Sequence, residues 1–162
     1  LTYGVGNYGK DTQHYFITSS ASGYASYINT AMSEWVNTTS SMGVTTPISY
    51  TKTTTQSSSR MDIYQVSTVN EWWGLTTMYN GSTDVDPFSS NWAWGKIQLD
   101  ADFSDLSENK RLAVIAHEMG HVMGLAHSDF SNVLMRADIA YNSSSTSRAQ
   151  TNDLGGINYL YK

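Results

Sequence analysis

Cysteine is absent from this sequence of 162 residues, which excludes disulfides, a thiol nucleophile and any metal site built on thiolates. Basic residues are also few and scattered: nine Lys and Arg stand against 14 Asp and Glu, which gives a net charge of −5. Nucleic acids and anionic membranes call for clustered positive charge, so neither is expected as a partner. No apolar run approaches the roughly 20 residues that a membrane-spanning helix needs. What remains is a globular chain of a length that fits one domain.

The residues that are abundant favour a secreted domain. Only 14% of the residues are charged, and Ser, Thr, Asn and Tyr are frequent, which is typical of secreted bacterial proteins. Three Ser- and Thr-rich stretches, at residues 53–60, 81–84 and 142–148, are each too short to separate two cores and are interpreted as loops. We therefore expect a single extracellular domain, with a monomer as the default state.

Hydrophobic periodicity predicts both strands and helices. Apolar residues at every second position predict strands at residues 1–5, 48–53 and 61–66, and residues 73–80 and 94–99 are further strand candidates. A helix is predicted over about residues 23–37, because apolar side chains recur there every three or four positions: Tyr24, Ile28, Ala31, Met32 and Trp35. This order indicates an α+β fold in which helices cover a mixed sheet.

The most informative stretch is HEMGHVMGLAH at residues 117–127, which holds three of the four histidines. It lies in a predicted helix that starts near residue 106, where Asp105 and Glu108 resemble a capping box. His117 and His121 are one turn apart on a face directed away from the apolar stripe of that helix, which comprises Leu112, Ile115, Met119 and Val122. Two histidines so placed can bind one metal ion together. The alternative is the polar side of an ordinary buried helix.

Gly124 and His127 complete the pattern of a zinc site. Gly124 can adopt a positive φ and end the helix in a sharp turn, after which the chain can bring back His127 as a third ligand. Three neutral nitrogens leave one zinc position open, which is the geometry of a catalytic site. Glu118 is close to the metal without being a ligand, so it is predicted to act as the general base on water.

His117, Glu118, His121, Gly124 and His127 match HExxHxxGxxH, the motif of the metzincin metalloendopeptidases, and within that clan the chain resembles a bacterial secreted matrixin. The likeness covers nearly the whole chain. LTYGVGNY is similar to the first matrixin strand, SDFSNVLMR to the Met-turn, and TNDLGGINYLY to the C-terminal helix.

The resemblance implies a zincin-like fold with a twisted five-stranded mixed sheet and three main helices. The active-site cleft would lie between an upper subdomain at about residues 1–124 and a smaller lower one at about residues 125–162. It also implies one catalytic zinc, with Met135 as an apolar floor beneath the ion. A core methionine without that role would occupy the same kind of position.

The resemblance further implies an edge strand that pairs with extended substrate. The candidate strand comprises Gly74, Leu75, Thr76, Thr77, Met78 and Tyr79, with an internal strand or hairpin arm as the alternative. The segment after Met135 lacks the usual Pro-x-Tyr of the matrixin specificity pocket. Tyr141 either lines that pocket or is an ordinary loop tyrosine.

The resemblance also raises two further ions, the structural zinc and the calcium of matrixins. A structural zinc is not expected, because Gln98 stands where matrixins have a histidine. Asp100 matches a calcium-ligating aspartate, and Asp102 and Asp105 are close in sequence, but Phe103 replaces the accompanying glutamate. These aspartates are either calcium ligands or solvated carboxylates that cap loops and helices.

The sequence therefore predicts a zinc-dependent endopeptidase that hydrolyses extended protein or peptide substrates. One alternative is a binding module that contains zinc, or that binds glycans through Trp72, Trp73, Trp92 and Trp94. Another is a zinc hydrolase that acts on a bond other than the peptide bond, because zinc-activated water also attacks esters.

Overall fold

The predicted α+β class with a mixed sheet is confirmed by the computed structural model, which describes residues 1–5, 12–140 and 146–162. The strands are β1 (Thr12–Ile17), β2 (Ser49–Lys52), β3 (Met61–Gln65), β4 (Gly74–Asn80), β5 (Thr83–Val85) and β6 (Trp94–Leu99). The helices are α1 (Ala25–Val36), the single turn α2 (Thr39–Met42), α3 (Glu108–Val122) and α4 (Thr151–Tyr161). The described ranges thus contain six strands, one more than the resemblance implied, and the three expected main helices.

The sheet has the strand order β2-β1-β3-β6-β4-β5. β2, β1, β3 and β6 are parallel neighbours, whereas β4 is antiparallel to both β6 and β5. β6 shows why these residues form a strand that is covered on one side: Gly95, Ile97 and Leu99 are buried, and the alternating Trp94, Lys96 and Gln98 are partly exposed. The two helices α1 and α3 pack against each other, and α3 also contacts β4 and β6.

The predicted edge strand is only partly an edge. β4 lies between β6 and β5, and the short strand β5 pairs with residues 78–80 of β4. The remaining residues 74–77 have β6 on one side and no strand partner on the other within the described part of the chain. Room for an added strand is therefore confined to residues 74–77, because β5 covers Met78 and Tyr79.

The predicted strand at residues 1–5 is wrong. The backbone amides of Thr2, Tyr3 and Gly4 donate to three different segments: the carbonyl of Gly124 at 2.9 Å, the carbonyl of Pro87 at 3.0 Å and the Asn91 side chain at 2.9 Å. A strand would direct these bonds to one neighbour. The first strand is instead Thr12–Ile17 (TQHYFI), which is not among the predicted strands.

Helix α3 begins two residues later than predicted and is buried on almost every side. Its N-cap is Ser107, which makes no side-chain capping bond, so the predicted capping box of Asp105 and Glu108 does not form. Two buried tryptophans donate indole N–H groups to its backbone: Trp35 Nε1 to the Ala116 carbonyl at 2.9 Å and Trp92 Nε1 to the Val122 carbonyl at 3.0 Å. These bonds fix the helix that carries the histidines to both α1 and the loop before β6.

The helices were also compared with the requirements of a membrane-spanning segment. In the described ranges, none of the helices combines the length and the apolar character that crossing a bilayer requires.

Replacement of Trp35 by Phe should lower the free energy of unfolding by about 1–3 kcal/mol, because it removes a buried hydrogen bond and leaves a small void. Denaturant unfolding measures this difference. Trp72→Phe, at a partly exposed position, is the matched control and should change stability by about 0.5 kcal/mol or less. Equal effects of the two substitutions would contradict the role given to the Trp35 indole.

Candidate metal centre and adjoining cleft

Three histidines converge at the end of α3. One ring nitrogen each of His117, His121 and His127 lies within 4.8 Å of the others, and their ring centroids are 4.6 to 5.2 Å apart. Within the described ranges this is the only group of three or more His, Asp or Glu side chains so arranged. The face of α3 that carries the two helical histidines is largely covered, because His117 is only 3% exposed and His121 is partly exposed. His117 and His121 each line a groove.

Backbone carbonyls orient the two helical histidines. His117 Nδ1 lies 3.0 Å from the Leu134 carbonyl oxygen, and His121 Nδ1 lies 2.7 Å from that of Leu125. A carbonyl oxygen only accepts, so each Nδ1 carries a proton and donates it. The Nε2 atoms are then unprotonated, which is the state that binds a metal. The donor set, three imidazoles with no thiolate or hard oxygen cluster among them, fits zinc.

A chain reversal brings the third histidine to the helix. α3 ends at Val122, and Gly124 follows with φ of +103°, a value that residues with a Cβ rarely adopt. The Leu125 amide then bonds back to the Gly120 carbonyl at 2.9 Å, as in a helix-terminating turn. His127, which is exposed, is thereby held opposite the two helical histidines.

Glu118 is a buried carboxylate beside this cluster. It is 7% exposed, and its Oε2 accepts a hydrogen bond of 2.6 Å from the Thr76 hydroxyl of β4. Burial raises the pKa of Glu118 to about 7, although the Thr76 hydrogen bond and the charge of His127 act in the opposite direction. A group with a pKa near neutrality can take up and release a proton at physiological pH.

The segment after the histidines is anchored from below by α4. Met135 is buried, and its side chain lies against Gly120 of α3. The Asp153 carboxylate, in the first turn of α4, accepts the amides of Leu134 at 2.8 Å and Met135 at 3.3 Å. Since the carbonyl of Leu134 accepts the proton of His117 Nδ1, Asp153 fixes the peptide that orients this histidine.

Two grooves meet at His127 and follow β4. One is lined by Gly74, His117, Glu118 and His127, together with Glu71, Trp72, Trp73, Val114, Ala137, Ile139 and Ala140. The other is lined by His121 and His127 together with Thr2, Thr76, Thr77, Met78, Val85, Pro87, Phe88, Leu125 and Ala126. Gly74 thus lines one groove, Thr76 and Thr77 line the other, and His127 lines both.

The three candidate calcium aspartates do not converge with one another. Asp100 is 1% exposed, and its carboxylate accepts the backbone and side-chain N–H groups of Asn70, at 2.7 and 2.9 Å, and the amide of Asp102 at 3.0 Å. Burial alone would raise the pKa of Asp100, but these hydrogen bonds outweigh it and lower the pKa. Amide donors thus satisfy the carboxylate, whereas Asp105 is exposed at the end of a short 3-10 turn.

Two other predictions have different outcomes. Tyr141 lies outside the described residues, so its place relative to the cleft stays a prediction. Of the four tryptophans named for the alternative of glycan binding, Trp92 is wrong, because it is 2% exposed and its indole N–H donates to the Val122 carbonyl of α3. Trp94 stacks on Tyr79 with ring centroids 4.7 Å apart, on the face of the sheet opposite to α3.

Some residues of the site were not identified from the sequence. Asp153 stands in the first turn of α4, where an acidic residue is a common start signal, but its contact with residues 134–135 spans separate segments. For Thr76, the sequence predicts only a place in the strand that pairs with substrate, and no role for its side chain. Period two does place it between Gly74 and Met78 on one strand face.

Comparison with known protein families agrees with the motif and with this geometry. A family model described as Matrixin (Peptidase_M10) matches residues 1–162. The match includes β4, the three histidines and α4, so it does not depend on the histidine motif alone. No curated protein matches the sequence.

His117 should remain neutral in mild acid. Burial lowers the pKa of His117 to about 3, with the nearby His121 adding to the shift, and burial also lowers the pKa of His121 and His127. In the unfolded chain these groups take up protons near pH 6.5. The unfolded state therefore binds more protons below that pH, and the metal-free protein loses stability as the pH falls from about 6.5 towards 3.

Denaturant unfolding of the metal-free protein between pH 8 and 4 measures this loss. His117→Asn should make the pH dependence shallower, because it removes the histidine whose pKa is lowered to about 3. Zinc occupancy after dialysis should persist below pH 6.5, because burial lowers the pKa of all three ligands and so weakens the competition from protons. A release of zinc centred at pH 6.5 would contradict the assigned shift.

Asp153→Asn should weaken zinc binding without touching a ligand. The Asn side chain has one acceptor oxygen, whereas the two carboxylate oxygens of Asp153 accept the amides of Leu134 and Met135. The backbone at Leu134, and with it the hydrogen bond to His117, should therefore loosen. We expect a zinc affinity about 10–100-fold lower, measured by competition with a chromogenic chelator. Asp129→Asn, at an exposed position between the histidines and α4, is the control. Unchanged affinity in Asp153→Asn would limit Asp153 to a role in folding.

Proposed function

This chain belongs to the matrixin family of zinc-dependent metallopeptidases, and on that premise we propose that it is an endopeptidase that cleaves proteins or peptides bound in extended form across the cleft. His117, His121 and His127 would hold one zinc ion, and Met135 would form the apolar floor of the site. Glu118 would act as the general base.

One observation carries this proposal beyond family membership. Glu118 is a buried carboxylate with a pKa raised to about 7, and it lines the same groove as His117 and His127. Burial of a carboxylate costs free energy unless it is compensated, so a buried glutamate in this groove favours a functional role. Perturbed titration of a group in a cleft, next to a metal-binding cluster, is typical of a catalytic acid or base.

The chemistry divides between the ion and the chain. Zinc bound to the three histidines would supply a Lewis acid for carbonyl polarisation and water activation. Glu118 takes a proton from water as the water oxygen bonds to the carbonyl carbon of the substrate. The C–N bond then breaks, and Glu118 returns that proton to the leaving amine nitrogen.

Substrate alignment is assigned to the unpaired part of β4. Residues 74–77 can form main-chain hydrogen bonds to an extended peptide, which adds a strand to the sheet. Such bonding is independent of side-chain identity, so residue preference would come from the two grooves on either side of the histidines. An extended peptide on this edge would bring one of its carbonyl groups towards Glu118.

We also infer the domain organisation, the extracellular location and the monomeric state of the protein. The chain would be one catalytic domain, with an upper subdomain to about residue 124 and a lower one from about residue 125. Matrixins are typically secreted, and the low charge of this chain supports an extracellular role. A monomer suffices for this chemistry, because every residue assigned to it is in one chain.

Glu118→Gln should retain about one zinc per chain yet lower kcat/KM on a denatured protein such as casein by about 10²–10⁴-fold. The zinc content measures the metal site, and sequenced fragments identify the bonds cleaved. Glu108→Gln, which changes an exposed glutamate in the first turn of the same helix, is the matched control and should leave turnover unchanged.

The outcomes separate the alternatives. Equal cleavage by Glu118→Gln and the unaltered protein would remove Glu118 from the role of base. If the unaltered protein binds zinc and cleaves esters only, it is a zinc hydrolase of another class. Zinc binding without any hydrolysis would indicate a binding module, and cleavage that resists chelation would refute the zinc mechanism.

A further inference from the structure

The Thr76 hydroxyl makes the one side-chain hydrogen bond that the Glu118 carboxylate receives within the described residues. We propose that Thr76 is a positioning residue for Glu118: it holds Oε2 and thereby leaves Oε1 as the oxygen that exchanges the proton. This inference rests on the proposed function, since it assigns a role within the same reaction. It concerns the side chain of Thr76 and is separate from the substrate bonds that the backbone of β4 would make.

The distances indicate which acceptor the hydroxyl prefers. Thr76 Oγ1 lies 2.6 Å from Glu118 Oε2 and 3.2 Å from the backbone carbonyl oxygen of Glu118. A hydroxyl has one proton to donate, and the carboxylate offers the shorter bond, in the range of charge-assisted hydrogen bonds. The backbone carbonyl would already satisfy a threonine that served only the packing of β4 on α3. The position of the hydroxyl therefore favours the side-chain oxygen.

The second carboxylate oxygen is left on the side of the cleft. Oε1 makes no hydrogen bond to the described residues, and it lies beside Gly74 at the start of β4. Gly74 and Glu118 both line the groove that also contains His117 and His127. With Oε2 held by Thr76, the free oxygen faces the groove in which the peptide and water would react.

The approach of β4 to α3 makes the contact possible. A Cβ at Gly74 would lie 2.7 Å from Glu118 Cγ and 2.9 Å from Val114 Cγ1, so only glycine fits without displacing the helix side chains. Gly74 and Thr76 are two residues apart and face α3 from the same side of the strand. The strand thus contacts Glu118 at its methylene groups through Gly74 and at its carboxylate through Thr76.

A glutamate needs such a partner because its last side-chain torsion, χ3, has a broad and roughly two-fold distribution of angles. Packing of the methylene groups alone therefore does not fix the plane of the carboxylate. The hydroxyl is suited to this task in a second way. It can keep donating to Oε2 whether the carboxylate is charged or carries a proton on Oε1, so the contact need not break when the proton moves to Oε1 and on to the leaving amine.

The test compares Thr76→Val, which keeps the shape of the side chain but removes the hydroxyl, with Thr76→Ser, which keeps the hydroxyl. The backbone of β4 is unchanged in both, so substrate pairing should persist. In Thr76→Val we expect kcat to fall about 10–100-fold with KM within about twofold and zinc stoichiometry unchanged. Thr76→Ser should stay within about threefold of the unaltered protein. Thr83→Val, at an exposed position of β5, is the control and should behave as the unaltered protein.

A crystal structure of Thr76→Val provides a readout that does not depend on turnover. We expect the Glu118 carboxylate to be rotated or to occupy more than one orientation. The inference is overturned if kcat is unchanged in Thr76→Val, if the loss lies in KM, if Thr76→Ser is as impaired as Thr76→Val, or if the carboxylate keeps its orientation without the hydroxyl. If the unaltered protein cleaves no peptide, the proposed function fails, and the crystal structure still decides whether Thr76 holds Glu118.

Discussion

The turn at Gly124 is the constraint on which the rest of the site depends. Its φ of +103° ends α3 and reverses the chain, which carries His127 back to the two helical histidines. The same reversal places the Leu125 carbonyl 2.7 Å from His121 Nδ1. A side chain at residue 124 would also meet the carbonyl oxygen of Tyr3 at 2.5 Å. The backbone conformation at Gly124 therefore positions His127 as the third ligand, sets the tautomer of His121 and constrains the path of the N-terminal segment.

Around this turn, the polar groups that act on the site are fixed by contacts from several parts of the chain. His117 is oriented by the Leu134 carbonyl, and the Met135 N–H of that same peptide is held by Asp153 from α4. Glu118 is oriented by Thr76 from β4. Because these partners are themselves on packed elements, the histidines and the glutamate have little freedom to reorganise, which is what a preorganised metal site requires.

Comparison of Asp100 with Glu118 illustrates how the same side-chain chemistry gives opposite behaviour. Both carboxylates are buried. Asp100 accepts N–H groups from Asn70 and Asp102 and keeps a lowered pKa, so it acts as a fixed acceptor in a loop. Glu118 has a single hydroxyl partner and a raised pKa. The number of donors around a buried carboxylate, more than burial itself, decides whether it is a structural group or one able to exchange a proton.

The sequence by itself determined the fold class, most of the helices and strands, and the set of three histidines with Glu118, because helical periodicity and the position of Gly124 are local properties. It failed at residues 1–5, where the alternation resembles a strand but the hydrogen bonds go to distant segments. Only the tertiary structure decided that β5 covers part of β4, that Asp100 pairs with Asn70, and that Thr76 and Asp153 reach the site. Those contacts join residues far apart in sequence, and they depend on how strands and helices pack, which no local pattern encodes.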